Sequence, residues 1–112
     1  MVIMAAFSIA PIGVLTSGGD APGMNAAVRG VVRTAAYYNI EAAAIFKGYQ
    51  GLIDNNIKIL TNKDVGNTIH LGGTILKTAR SDQFRKKSGR EIAYSNLKKN
   101  EIDGLIVLGG DG

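Results

Sequence analysis

Two hydrophobic patterns alternate along this chain. Short apolar runs of four or five residues occupy 12–16, 42–46 and 105–108, and glycine follows closely after each of them. Runs this short, bounded by turns, predict strands that are buried on both faces. The segment 48–51 is rich in glycine, and we interpret it as a turn after the second strand.

Helical spacing appears between these runs. From Met24 onward, apolar side chains recur at i, i+3, i+4, i+7, i+8 and i+11, which predicts an amphipathic helix that ends near Asn39. A Thr-x-x-Asp capping signal predicts a helix over 61–71, and a Ser-x-x-Glu capping box predicts another over 88–99. Strands that alternate with helices predict a parallel sheet with helices on its faces, in a single domain.

Two glycine-rich segments, 18–20 and 109–112, follow predicted strands directly. In open α/β sheets, ligands bind at the carboxyl ends of the strands. We therefore expect both segments to converge on one edge of the sheet and to form a binding site there.

The chemistry of these two segments suits phosphate. The first joins a strand to a helix, so its glycines let backbone N–H groups approach a phosphate at the helix N-terminus. An ordinary strand-to-helix turn explains those glycines equally well. Asp111, in the second segment, is placed to hold Mg²⁺ beside phosphates. It could also cap a following helix.

Three arginines are candidates for phosphate contacts. Arg29 and Arg33 lie one turn apart on the first predicted helix, which suits a phosphate clamp, although two solvated arginines are the simpler interpretation. Arg80 follows the segment 72–79 and could screen the charge of a transferring phosphate. Exposure at the surface explains Arg80 as well.

Composition removes several classes of function. The chain has no cysteine, which excludes disulfides and thiolate metal sites, and its single histidine, His70, supports neither a nucleophilic triad nor a zinc site. Residues 1–11 are apolar, too short to span a membrane and without a signal peptide's basic residues, so we interpret them as an extension and expect a cytoplasmic protein. The net charge is +4, but few aromatic residues interleave with the basic cluster over 80–99, which disfavours nucleic-acid binding.

Four segments together resemble the phosphofructokinase family, from about Ile12 to Gly112. They are 16–25 with the two arginines that follow it, 48–52, 72–80 and the terminal Gly-Gly-Asp-Gly. The resemblance implies a Rossmann-like parallel sheet with helices on both faces, as part of a phosphofructokinase-type fold, with an ATP-binding domain over 12–112. It also implies transfer of the γ-phosphate of ATP to fructose 6-phosphate in glycolysis.

The same resemblance implies roles for individual residues. Arg80 would stabilise phosphate charge during catalysis, Asp111 would serve Mg²⁺, and Arg29 and Arg33 would bind ADP or phosphoenolpyruvate as an effector between subunits of a homotetramer. The residues implied to bind ATP are Gly19, Tyr49, Arg80, Ser81, Gly110, Asp111 and Gly112. Gly112 also indicates ATP as the donor, since family members that use pyrophosphate typically carry Asp at this position.

Two positions depart from the family pattern, and part of the family's machinery lies further along its chain. Many bacterial members have an effector arginine where Asn62 stands, and some members have glycine where Lys77 stands. The family's general base belongs to a Thr-Ile-Asp-x-Asp segment beyond Gly112, so we expect these 112 residues alone to be inactive. Two alternatives stay open: a pyrophosphate-dependent phosphofructokinase, and a nucleotide- or phosphate-binding fragment without catalysis.

Overall fold

The computed structural model of the protein describes residues 10–18, 23–66 and 75–109. Its elements are, in chain order, β1 (Ile12–Thr16), α1 (Met24–Tyr37), β2 (Ala42–Ile45), α2 (Gly48–Asp54), β3 (Ile57–Leu60), α3 (Asn62–Val65), a 3₁₀ helix (Gln83–Arg85), α4 (Lys87–Lys99) and β4 (Gly104–Leu108). The strands form one sheet in the order β3-β2-β1-β4.

The predicted parallel sheet is present, with β1 at its centre. β1 pairs in parallel with β2 and with β4, so that Val14 lies opposite Ala44 on one side and Ile106 on the other. The three predicted strands therefore occupy the expected places, and the carboxyl ends of β1 and β4 lie at the same edge of the sheet.

Two elements next to β2 differ from the prediction. The segment interpreted as a turn at 48–51 is part of helix α2, and the unpredicted strand β3 runs antiparallel to β2. Lys47 and Asn55 both adopt left-handed backbone conformations at the ends of α2, with φ of 65° and 58°. These two reversals make room for a short helix and return the chain alongside β2.

Helices cover both faces of the sheet, as the fold class requires. On one face, α1 buries Val28 and Val32 against Val14. On the other face, α2 and α4 pack against Leu15 and Ile45 of the sheet. The alternation of side chains along β1 divides the core between these two layers.

One of the two predicted helix caps is confirmed. Thr61 and Asp64 form a capping box at the start of α3, where the Asp64 carboxylate accepts the Thr61 N–H at 2.8 Å. Residues 67–71 of that predicted helix lie outside the described residues. The predicted Ser-x-x-Glu cap is wrong, because α4 begins at Lys87 with no side-chain cap, directly after the 3₁₀ helix. Within the described residues, no helix is long and apolar enough to cross a membrane.

Candidate nucleotide-binding site

A cavity of about 650 Å³ opens at the carboxyl end of β1. Three chain segments surround it: the end of β1 with the turn that follows, the start of α2, and the stretch from Thr78 through the 3₁₀ helix. The lining residues are Thr16, Ser17, Gly18, Gly48, Tyr49, Thr78, Ala79, Arg80, Ser81, Phe84 and Arg85. The predicted site residues Tyr49, Arg80 and Ser81 are therefore brought together, although they lie up to 32 residues apart in sequence.

The two glycine-rich segments begin side by side at this edge. The Ser17 N–H donates to the Leu108 carbonyl oxygen at 2.8 Å, which continues the pairing of β1 with β4 past the strands. Gly109 has a φ of 124°, and a Cβ there would overlap the Ser17 carbonyl oxygen. The close approach of the two turns thus requires glycine at 109. The predicted site residues Gly19, Gly110, Asp111 and Gly112 follow these turns and lie outside the described residues.

The start of α2 forms a second wall of the cavity. Gly48 has a φ of 59°, and a Cβ there would lie 3.1 Å from the Thr16 carbonyl oxygen. This conformation brings Tyr49 to the cavity, where its ring stacks on that of Phe84 with centroids 4.3 Å apart and planes 17° from parallel. Both rings are half-buried, so they form a flat apolar surface beside the polar turn.

Arg80 lies on an exposed segment that is fastened to the end of β1. The Thr16 hydroxyl donates to the Lys77 carbonyl oxygen at 3.1 Å, and the Lys47 N–H donates to the Leu76 carbonyl oxygen at 2.8 Å. Lys77 itself has a φ of 63°, a conformation that favours glycine. This backbone geometry gives a physical reason for the glycine that some relatives are expected to carry at this position.

The electrostatics of the cavity favour an anion. Arg80 and Arg85 line it, while the described lining residues include no carboxylate. Arg85 and Phe84 belong to the site but were not predicted as site residues. No local pattern marks them, because the segment from Arg80 to Asp82 is not helical and Phe84 joins the site through its contact with Tyr49.

The match to known proteins identifies the family. A family model described as phosphofructokinase matches residues 11–112. The chain belongs to the phosphofructokinase family. This confirms the resemblance stated from the sequence.

Named relatives and solved structures agree with this membership. The chain is 54% identical to ATP-dependent 6-phosphofructokinase 2 of Bacteroides thetaiotaomicron and 57% identical to ATP-dependent 6-phosphofructokinase of Oceanobacillus iheyensis, over 101 residues in each case. These matches cover 90% of this chain but only 31% and 32% of the relatives. The structure of phosphofructokinase from Saccharomyces cerevisiae superposes with a TM-score of 0.89 and 47% identity, over 93% of this chain and 14% of that one. The chain therefore spans about a third of the length of the curated relatives it matches.

The remaining predicted site residues lie away from the cavity or outside the described residues. Arg29 and Arg33 are on α1 and are not among the described residues that line the cavity. Arg33 is exposed, whereas Arg29 is half-buried and its Nε has no hydrogen-bond partner within the described part of the chain. His70 and the side chain of Asn62 lie outside what the structure describes.

Among residues 10–18, 23–66 and 75–109, no group of three or more His, Asp or Glu side chains could hold a metal ion.

Proposed function

We propose that this chain supplies the nucleotide-binding part of an ATP-dependent 6-phosphofructokinase, which transfers the γ-phosphoryl group of ATP to fructose 6-phosphate. The observation that carries the proposal is the convergence of Tyr49, Arg80 and the β1 turn on one cationic cavity at the carboxyl edge of a parallel sheet. Residues 12–112 are the proposed ATP-binding domain, and residues 1–11 precede it as an extension.

Each wall of the cavity has a distinct role in this proposal. The stacked rings of Tyr49 and Phe84 offer an apolar surface for the nucleotide, and the glycine turns at 18–19 and 109–110 bring backbone N–H groups to its phosphates. Arg80 neutralises charge on the phosphoryl group during in-line transfer. Gly112, without a side chain, leaves space for an α-phosphate, which favours ATP over pyrophosphate as the donor.

Magnesium is the proposed cofactor, held by Asp111 and by the phosphates of the nucleotide. Mg²⁺ prefers oxygen ligands and usually binds through one or two carboxylates together with substrate phosphates. The described cavity wall offers arginines and no carboxylate, so the carboxylate of Asp111 complements it. When bound, the ion would neutralise part of the negative charge of the nucleotide phosphates.

An effector site on α1 is a separate proposal. Arg29 and Arg33 lie one helical turn apart on α1, so their two guanidinium groups can contact one phosphate together. We propose that the pair binds a phosphate of ADP or of phosphoenolpyruvate between subunits of a homotetramer. To test this, both arginines are changed to Ala in a chimera of the O. iheyensis enzyme whose matched 101 residues come from this chain. Loss of the response to both effectors with catalysis retained supports the site, and unchanged responses refute it.

Binding of Mg-ATP to the chain itself tests the nucleotide site. Titration calorimetry of the 112-residue protein is expected to show one site that Arg80→Ala weakens at least tenfold, because hydrogen bonds to charged groups contribute about 1.5–3 kcal/mol. Lys98→Ala is the matched control, since it removes the same charge from the far end of α4, outside the cavity lining. Equal affinities for the two variants would contradict the assignment of Arg80, and no binding by the wild-type chain would contradict the nucleotide site.

A further inference from the structure

The rim of the cavity carries a group of hydrogen bonds centred on Gln50, which follows Tyr49 on α2. The amide oxygen of Gln50 accepts the hydroxyl of Ser81 at 2.7 Å. Its amide nitrogen donates to Gln83 Oε1 at 3.0 Å and to Asp54 Oδ1 at 3.2 Å. One side chain therefore ties α2 to the turn that follows Arg80.

Asp54 determines which end of the Gln50 amide faces Ser81. An ionised carboxylate only accepts hydrogen bonds, so the amide nitrogen must face Asp54 and the amide oxygen turns toward Ser81. The Ser81 hydroxyl can donate only one hydrogen bond, and the amide oxygen of Gln50 accepts it. The same hydroxyl oxygen accepts the Phe84 N–H at 3.2 Å, which closes the first turn of the 3₁₀ helix.

These bonds use the one donor of the Ser81 side chain. A phosphate oxygen is itself an acceptor, so the Ser81 hydroxyl has no proton for it while it donates to Gln50. We propose that Gln50 is a positioning residue of the nucleotide site and that Ser81 is its partner rather than a ligand of the phosphates through its hydroxyl. The pair holds the turn against α2 and keeps Arg80 on the cavity wall. This inference rests on the proposed function, because its ligand is the nucleotide.

Other hydrogen bonds hold the same segment before and after Arg80. The bond from Ser81 to Gln50 joins the turn next to Arg80 to α2. Before Arg80, the Thr16 hydroxyl holds the Lys77 carbonyl. After it, the Arg90 guanidinium donates to the carbonyl oxygens of Phe84 and Arg85, at 3.1 and 2.7 Å. The Gln50–Ser81 bond lies between these two ties, one residue from Arg80. Loss of the Gln50–Ser81 bond therefore loosens the turn, while the hydrogen bonds before and after it stay in place.

The test is a double-mutant cycle on the full 112-residue chain with Mg-ATP as the ligand. Gln50→Met, which keeps the length of the side chain, and Ser81→Ala are each expected to weaken ATP binding about three- to tenfold, the effect of one hydrogen bond. The double variant is expected to bind no more weakly than Ser81→Ala alone, because Ser81→Ala already removes the bond to Gln50. Ser81→Thr keeps the hydroxyl and restores the affinity. Asn100→Ala, which removes a side-chain bond to Asn55 at the far end of α2, is the control and leaves affinity unchanged.

Two results overturn the inference. The first is a Gln50→Met variant that binds ATP with wild-type affinity. The second is a double variant whose loss of affinity equals the product of the two single losses, which indicates that Ser81 contacts ATP directly. A wild-type chain that binds no ATP refutes the proposed function instead. NMR without nucleotide then decides the inference: Gln50→Met is expected to shift the signals of the Arg80 side chain and of the Phe84 N–H, and unchanged signals overturn it.

Discussion

The ring of Tyr49, at the start of α2, lies against the ring of Phe84, in the 3₁₀ helix, so that one face of the cavity is built from two segments 35 residues apart in sequence. The planes are nearly parallel, at 17°. This contact joins the helix that follows β2 to the segment that carries Arg80, and the shape of the cavity depends on it.

Loss of this contact is expected to affect stability and the cavity together. Phe84→Ala should lower the free energy of unfolding by about 1.5–3 kcal/mol, below the range for a fully buried Phe because the ring is half-buried. Phe84→Leu keeps most of the apolar volume and should lose only the ring stacking, about 0.5–1.5 kcal/mol. Urea denaturation of both variants measures the difference. An unchanged free energy of unfolding in Phe84→Leu would show that the stacking adds nothing to the apolar contact.

Gly109 and Gly30 form a matched pair of glycines with opposite expectations. Gly109→Ala places a Cβ on the Ser17 carbonyl oxygen at positive φ, and we expect a loss of about 2–3 kcal/mol in unfolding free energy. Gly30→Ala lies within α1, where a Cβ meets no atom of the described residues within 4 Å, and should gain about 0.5–1 kcal/mol. Thermal unfolding of both variants is the measurement. A neutral Gly109→Ala would refute the close approach of the two turns.

Lys77→Gly should stabilise the chain. Relief of the left-handed conformation of Lys77 is worth about 1–2 kcal/mol. The extra entropy of glycine in the unfolded chain costs about 0.5–1 kcal/mol. The net gain is then up to about 1.5 kcal/mol, and urea denaturation measures it. Lys98→Gly, in the regular helix α4, provides the contrast and should lose about 1 kcal/mol. A loss at both positions would contradict the left-handed geometry at Lys77.

The capping box of α3 makes part of the fold sensitive to acid. The Asp64 pKa lies below its ordinary value because the carboxylate accepts the backbone N–H and then the hydroxyl of Thr61, with Lys58 and Lys63 adding smaller attractions. A lowered folded-state pKa means that this contribution to stability is present above about pH 4 and is lost as the pH falls through the folded-state pKa. Thr61→Val removes the hydroxyl and should raise the Asp64 pKa toward its ordinary value in an NMR titration. An unchanged pKa would show that the hydroxyl bond is not formed in solution.

Patterns within single segments predicted most of the fold, whereas contacts between segments escaped them. The apolar runs at β1, β2 and β4 are continuous, so period and length sufficed to identify these strands. β3 has four residues and returns antiparallel only because Asn55 takes a left-handed conformation, which the surrounding apolar pattern does not reveal. The helical spacing of α1 was equally clear.

The same division applies to the site. Tyr49 and Arg80 were identified by the resemblance to the family, and the structure brings them to one cavity. Gln50 and Phe84 act through partners 31 and 35 residues away, so no local pattern marks them. The ligand roles assigned to Gly19, Gly110, Asp111 and Gly112 stay predictions, since these residues lie outside the described part of the chain.

Phosphoryl transfer by the chimera of the O. iheyensis enzyme tests the central claim most directly. Formation of fructose 1,6-bisphosphate is measured with ATP and with pyrophosphate as donors at matched Mg²⁺, and Gly112→Asp is compared for activity and for thermal stability. The account predicts turnover with ATP and little with pyrophosphate, and a Gly112→Asp variant that folds normally but loses ATP-dependent activity. A folded chimera that turns over with pyrophosphate and not with ATP, or that fails to turn over with either donor, would contradict it.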